Sequence, residues 1–119
     1  MTLKDRMAVV TGAGSGLGRA IALALAEVGA AIGAVDLDGA SAEETAVLIA
    51  KAGGKAKAFQ ADTSKAADVD RAVGGAVKAL GPLEIMVNNA GVIDGYFNVD
   101  EMDEAVWRRV IDIDLTGVF

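Results

Sequence analysis

Gly12, Gly16 and Gly18 stand close together in TGAGSGLGRA (11–20), between a short apolar run and a helical pattern. Glycines so placed let a chain turn tightly, let a pyrophosphate approach the backbone, and let a helix settle against a sheet. The amides at the start of that helix, near Ser15 to Gly18, have no helical partners and can face an anion. Asp36 closes the next apolar run, 18 residues past Gly18, where a carboxylate accepts hydrogen bonds from a ribose. Asp36 or Asp38 could instead cap a turn, but the place of Asp36 at a strand end favours the ribose. A P-loop is excluded, because Gly18 is followed by Arg19 and Ala20 rather than by Lys and Ser or Thr. The pattern is that of a dinucleotide cradle.

Other chemistry is scarce. The 119 residues contain no histidine and no cysteine, which removes disulfides, thiolate nucleophiles, imidazole bases and most zinc chemistry. No metal site is expected. A net charge of −6 offers no basic face for phosphates, so nucleic acid is not an expected partner. Lys51, Lys55 and Lys57 are the one local basic cluster and read as a solvated loop. MTLKDRMAVV has too few apolar residues in a row for a signal peptide. The apolar stretch from Ala20 to Val35 contains Glu27 and two glycines and is shorter than the roughly 20 residues of a membrane span. A cytoplasmic protein with no membrane contact is expected.

The elements that must position the cradle follow from periodicity. MAVVT (7–11) is a short buried strand. Leu17, Ile21, Leu25 and Val28 recur at helical spacing until Gly29. AAIGAVD (30–36) is a second strand, weakened by Gly33. Ser41 is a plausible N-cap, with Glu43 and Glu44 behind it and Gly53–Gly54 at the helix end. KAKAFQAD (55–62) gives a third strand. Val69, Val73, Val77 and Leu80 line a third helix, which Gly81–Pro82 stops. LEIMVNNAG (83–91) is a fourth strand with its turn. A last helix runs from about Asp103, with Val110, Ile111 and Leu115 at helical spacing. This alternation predicts an α/β fold with a parallel sheet in a single domain, 1–119.

The glycine spacing has three residues between Gly12 and Gly16, and TGAGSGLG resembles the T-G-x-x-x-G-x-G signature of the classical short-chain dehydrogenase/reductase family. NNAG (88–91) resembles that family's second signature. AD (61–62) and WRRVIDIDLTGVF (107–119) match its pattern in the right order. The resemblance implies a Rossmann-type doubly wound sheet, of which this chain supplies four strands in the order 3-2-1-4 and stops before the fifth. It implies that Gly12, Ser15, Gly16, Leu17 and Gly18 cradle the phosphates and ribose. Asp36 and Leu37 would meet the adenosine ribose, Asp62 and Thr63 the adenine, and Asn89, Ala90 and Gly91 the nicotinamide ribose. The implied cofactor is NAD, since Asp36 opposes a 2′-phosphate and Ser15 and Leu37 offer no cation. The implied substrate is a small-molecule alcohol or ketone.

The family's proton chemistry resembles general acid catalysis by a tyrosine, a lysine four residues later and a serine. Tyr96 is the sole tyrosine and has Asp100 four residues on, and Ser15, Ser41 and Ser64 lie upstream. Of the catalytic positions only Asp114 is covered, where the family usually has asparagine; an ionised aspartate accepts hydrogen bonds but donates none. The expectation is therefore the N-terminal, cofactor-binding portion of a longer enzyme, inactive by itself. Val106, Trp107, Val110 and Phe119 in the last helix suggest a homo-oligomer. A non-catalytic dinucleotide-binding or scaffold protein is the alternative, and a nucleotide-sugar epimerase a weaker one.

Overall fold

A computed structural model of the chain describes residues 2–90. Gly91, Tyr96, Asp114 and the expected last helix lie outside the described residues. The first strand, β1 (Met7–Thr11), is buried along its whole length. Its side chains alternate between two cores, Ala8 and Val10 on one face and Met7 and Val9 on the other. Burial on both faces is why the run is continuously apolar. Helix α1 (Gly16–Glu27) follows, then β2 (Ala31–Asp36), α2 (Gly39–Lys51), β3 (Ala56–Gln60), α3 (Ala66–Leu80) and β4 (Ile85–Val87).

The four strands form one parallel sheet in the order β3-β2-β1-β4, as the family resemblance implies. Ala22 of α1 and Ile49 of α2 pack with Ile32 and Ala34 on one face. Ala72 and Ala76 of α3 pack with Val35 and Ala61 on the other. The sheet is thus doubly wound. Small side chains set the layer spacing: a Cβ on Gly33 would lie 3.1 Å from the Ala76 Cβ and 3.2 Å from Val9 Cγ2. Gly33 costs strand propensity but lets α3 sit close to β2. Gly75 does the same from the helix side, where a Cβ would come within 2.7 Å of the Phe59 ring. At the other end of the strands, an Arg6–Glu84 ion pair joins the start of β1 to the segment entering β4.

Strands β2 and β3 are slightly shorter than the expected segments 30–36 and 55–62, and two further boundaries differ more. Helix α2 starts at Gly39 with Asp38 as its N-cap, not at Ser41. The Asp38 carboxylate accepts from the Ser41 backbone N–H at 3.1 Å and from its hydroxyl at 2.9 Å, so Ser41 serves the cap from inside the first turn. Strand β4 is only Ile85–Val87, shorter than the segment 83–91. Beyond Val87 the chain finds a side-chain partner, the Thr11 hydroxyl, instead of a strand.

Candidate cofactor site

Chain order runs from β1 outward through β2 to β3, then returns across the sheet to β4. That reversal opens a crevice at the carboxyl ends of β1 and β4, where doubly wound sheets bind ligands. Thr11 closes β1 there. Its hydroxyl accepts from the backbone N–H groups of Asn89 and Ala90, both at 3.0 Å, and can donate to Val87 O at 3.3 Å. One hydroxyl therefore replaces the ladder partner that β4 lacks after Val87 and turns NNA across the end of β1.

The glycine turn lies beside it. Gly12 has φ 66° and its carbonyl faces Gly18 so closely that a Cβ on Gly18 would be 1.9 Å from that oxygen. Only glycine fits at 18. Gly16, at φ 56°, has the opposite surroundings: a Cβ there would meet nothing within 4 Å. Its open side is where a pyrophosphate can approach. The N-cap Ser15 is extended and its hydroxyl makes no capping bond, and the first turn of α1 carries no acidic residue. The first-turn amides and the positive end of the helix dipole are thereby left to an incoming anion. These features fit a dinucleotide pyrophosphate.

Asp36 reaches this turn from the end of β2. Its Oδ2 accepts from Gly14 N–H at 2.8 Å and its Oδ1 from Asp38 N–H at 2.9 Å. A carboxylate has about four acceptor sites, so each oxygen keeps capacity for a hydroxyl. Leu17 and Leu37 are exposed beside the site, at 69% and 49%. Asp36 thus also caps its own turn through the bond from Asp38 N–H, while Asp38 caps α2. The Ser41 N–H and hydroxyl hold its carboxyl below the usual carboxylate range.

The remaining expected contacts fall along the same edge. Asp62 follows β3, and its Oδ1 accepts from Ser64 N–H at 3.0 Å, forming a local turn that carries Thr63. Asn89 Nδ2 lies 3.5 Å from Gly12 O, which ties the β4 exit to the glycine turn. The structure thus gathers Gly12, Ser15, Gly16, Leu17, Gly18, Asp36, Leu37, Asn89 and Ala90 around one crevice and its rim. Sequence reasoning missed Thr11, Gly14 and Thr45. Thr11 and Gly14 stood inside the quoted turn without a role; Thr45 gave no local signal. A separate open cleft, lined by Lys4, Asp5, Arg6, Glu27 and Lys55, lies at the opposite strand ends. Its mixed charges and helix C-termini do not converge on a ligand. Among the described residues no group of three His, Cys, Asp or Glu side chains could hold a metal ion, and no helix is long and apolar enough to cross a membrane.

A doubly wound sheet with this turn and acid is the arrangement found in nucleotide-binding α/β proteins. A family profile described as short chain dehydrogenase matches residues 6–119. Similar curated proteins include 2-(S)-hydroxypropyl-CoM dehydrogenase 3 of Xanthobacter autotrophicus, 40% identical over 98% of this chain and 46% of the relative. Cyclohexanol dehydrogenase of an Acinetobacter species is 38% identical over 97% of this chain and 46% of its own length. The (3R)-3-hydroxyacyl-CoA dehydrogenase of Mus musculus is 40% identical over 100% of this chain and 49% of its own. The chain belongs to the short-chain dehydrogenase family, and it spans about half the length of these relatives.

Proposed function

We propose that this chain is the NAD-binding portion of an oxidoreductase that interconverts a secondary alcohol and a ketone. The observation that carries this reading is the Asp36 carboxylate, fixed 2.8 Å from the Gly14 amide beside a glycine turn whose open side faces solvent. Bound there, a nicotinamide dinucleotide supplies hydride acceptance and donation. The chain's own part is to bind and orient it. The amides of Gly16, Leu17 and Gly18 would take the pyrophosphate and Asp36 with Leu37 the adenosine ribose. Asp62 and Thr63 would border the adenine, and Asn89, Ala90 and Gly91 the nicotinamide ribose.

The preference for NAD over NADP rests on charge. A carboxylate about 5 Å from a 2′-phosphate is repelled by several kcal/mol at an effective dielectric near 20, before solvent screening. Arg19, the cation nearest the turn in sequence, is engaged elsewhere: it donates to Thr45 Oγ1 at 2.9 Å and pairs with Glu44 at 3.6 Å. The dehydrogenase names of the relatives support the alcohol–ketone reaction class.

The proton donor is proposed to come from outside these residues, because Tyr96 has aspartate, not lysine, four positions on. Asp114 is proposed to act beside it by holding a water. A cytoplasmic homo-oligomer, joined through the segment from about Asp103 that the sequence reads as a helix, completes the reading. The test is a spectrophotometric assay of the intact protein with NAD+ and a panel of secondary alcohols. Formation of reduced nicotinamide with at least one of them is expected. Binding of NAD+ without turnover of any alcohol or ketone would point to the non-catalytic alternative.

A further inference from the structure

Thr45 sits on α2, outside the crevice, with none of its surface exposed. A hydroxyl buried so deeply has to be satisfied, and here three groups surround it. It accepts from Arg19 Nε at 2.9 Å; Ala13 O lies at 2.7 Å and Ser41 O at 3.3 Å. The hydroxyl has one proton to give. A threonine within a helix commonly gives it to the carbonyl four residues back, which is Ser41 O. Arg19 Nη2 already donates to Ser41 O at 3.3 Å, and Ala13 O is the closer acceptor. The proton therefore goes to Ala13.

Ala13 O and Gly14 N–H are the two ends of one planar trans peptide and point in opposite directions. Gly14 N–H is the group that donates to Asp36 Oδ2. One peptide plane is thus gripped at both edges, by Thr45 on the α2 side and by Asp36 on the β2 side. There is no slack around it: a Cβ on Gly14 would lie 2.7 Å from both Asp36 Oδ2 and Ser41 Cβ. Ala13 N–H, bonded to Val35 O at 3.0 Å, fixes the preceding peptide.

We propose that Thr45, aimed by Arg19, is a positioning residue for dinucleotide binding: by holding the Ala13–Gly14 peptide it orients the Asp36 carboxylate toward the ribose. This rests on the dinucleotide reading above. Without the Thr45 hydroxyl the peptide can rotate, Gly14 N–H leaves Asp36, and the carboxylate keeps only its bond from Asp38. Thr45 touches no ligand, so its effect passes through Asp36.

The test is calorimetric titration of the intact protein with NAD+, comparing Thr45→Val, Thr45→Ser, Asp36→Asn and the Thr45→Val/Asp36→Asn pair. Thr45→Val is expected to weaken NAD+ binding about tenfold, the scale of one lost hydrogen bond, while Thr45→Ser stays within about twofold of the unaltered protein. The double variant should bind no more weakly than Asp36→Asn alone, a coupling that mere destabilisation would not produce. Should Thr45→Val not fold, Arg19→Met reports on the same relay by freeing the proton to turn toward Ser41; a severalfold loss is expected. Unchanged affinity in a folded Thr45→Val or in Arg19→Met, or losses that multiply in the double variant, would overturn the positioning role alone. If the unaltered protein bound neither NAD+ nor NADP+, the functional reading would fall and the positioning role with it.

Discussion

At the scale of single residues, Gly16 and Gly18 share a motif but answer to different constraints. Gly18→Ala drives a methyl into the Gly12 carbonyl, a backbone group that cannot step aside. Roughly 3 kcal/mol of stability should be lost, at the upper end for overpacking. Gly16→Ala meets open space and suffers mainly from its left-handed backbone, a cost of about 1–2 kcal/mol, while its methyl intrudes where a pyrophosphate would lie. Urea unfolding should rank the two in that order, with NAD+ binding weakened in the milder variant as well. Much of this was legible in sequence, because glycine spacing and an acid at a strand end are local patterns. Thr11 and Thr45 were not. Thr45 acts on Ala13, 32 positions away, through an approach of α2 to the turn that no local pattern encodes.

Among the elements, α2 depends on a cap that residue type alone misplaced. Ser41 followed by two glutamates looks like a helix start, yet Asp38 caps three residues earlier and draws Gly39 and Ala40 into the helix. The outcome is a matter of charge-assisted hydrogen bonding, which favours a carboxylate with two Ser41 donors over a lone hydroxyl. The cap also carries a pH dependence. Its folded pKa lies below the usual value, so its stabilisation is fully present above the ordinary carboxylate range and is lost as pH falls through the lowered value. Thermal melts should therefore separate the unaltered protein from Asp38→Ala at neutral pH, and the gap should close in acid. A gap that persists in acid would assign the difference to something other than the carboxylate. For β4, the sequence marked an apolar strand but not its end, since the amides of Asn89 and Ala90 turn to the Thr11 hydroxyl by a contact made across the sheet.

At the scale of the whole molecule, the described residues form a thin core organised around a switch point. Among the described residues, alanine fills much of both faces, and Met7, Ile32, Ile49, Val9 and Val10 are the large apolar side chains that are fully enclosed. With so few, each one matters. Ile32→Ala should cost about 2–5 kcal/mol in denaturant unfolding, because the alanines around it cannot collapse to fill the space. The strand order was legible through the family resemblance, and it puts β1 beside β4, so that the glycine turn and the Asn89–Ala90 segment leave the sheet side by side.

The proposed function makes this crevice an NAD site governed by Asp36. Calorimetric titration of the intact protein with NAD+ and NADP+ side by side tests it most directly. Several kcal/mol of unscreened repulsion, much reduced by solvent, should still leave NAD+ binding at least about tenfold tighter, and Asp36→Asn should narrow that ratio. NADP+ binding as tight as NAD+ or tighter would contradict the account.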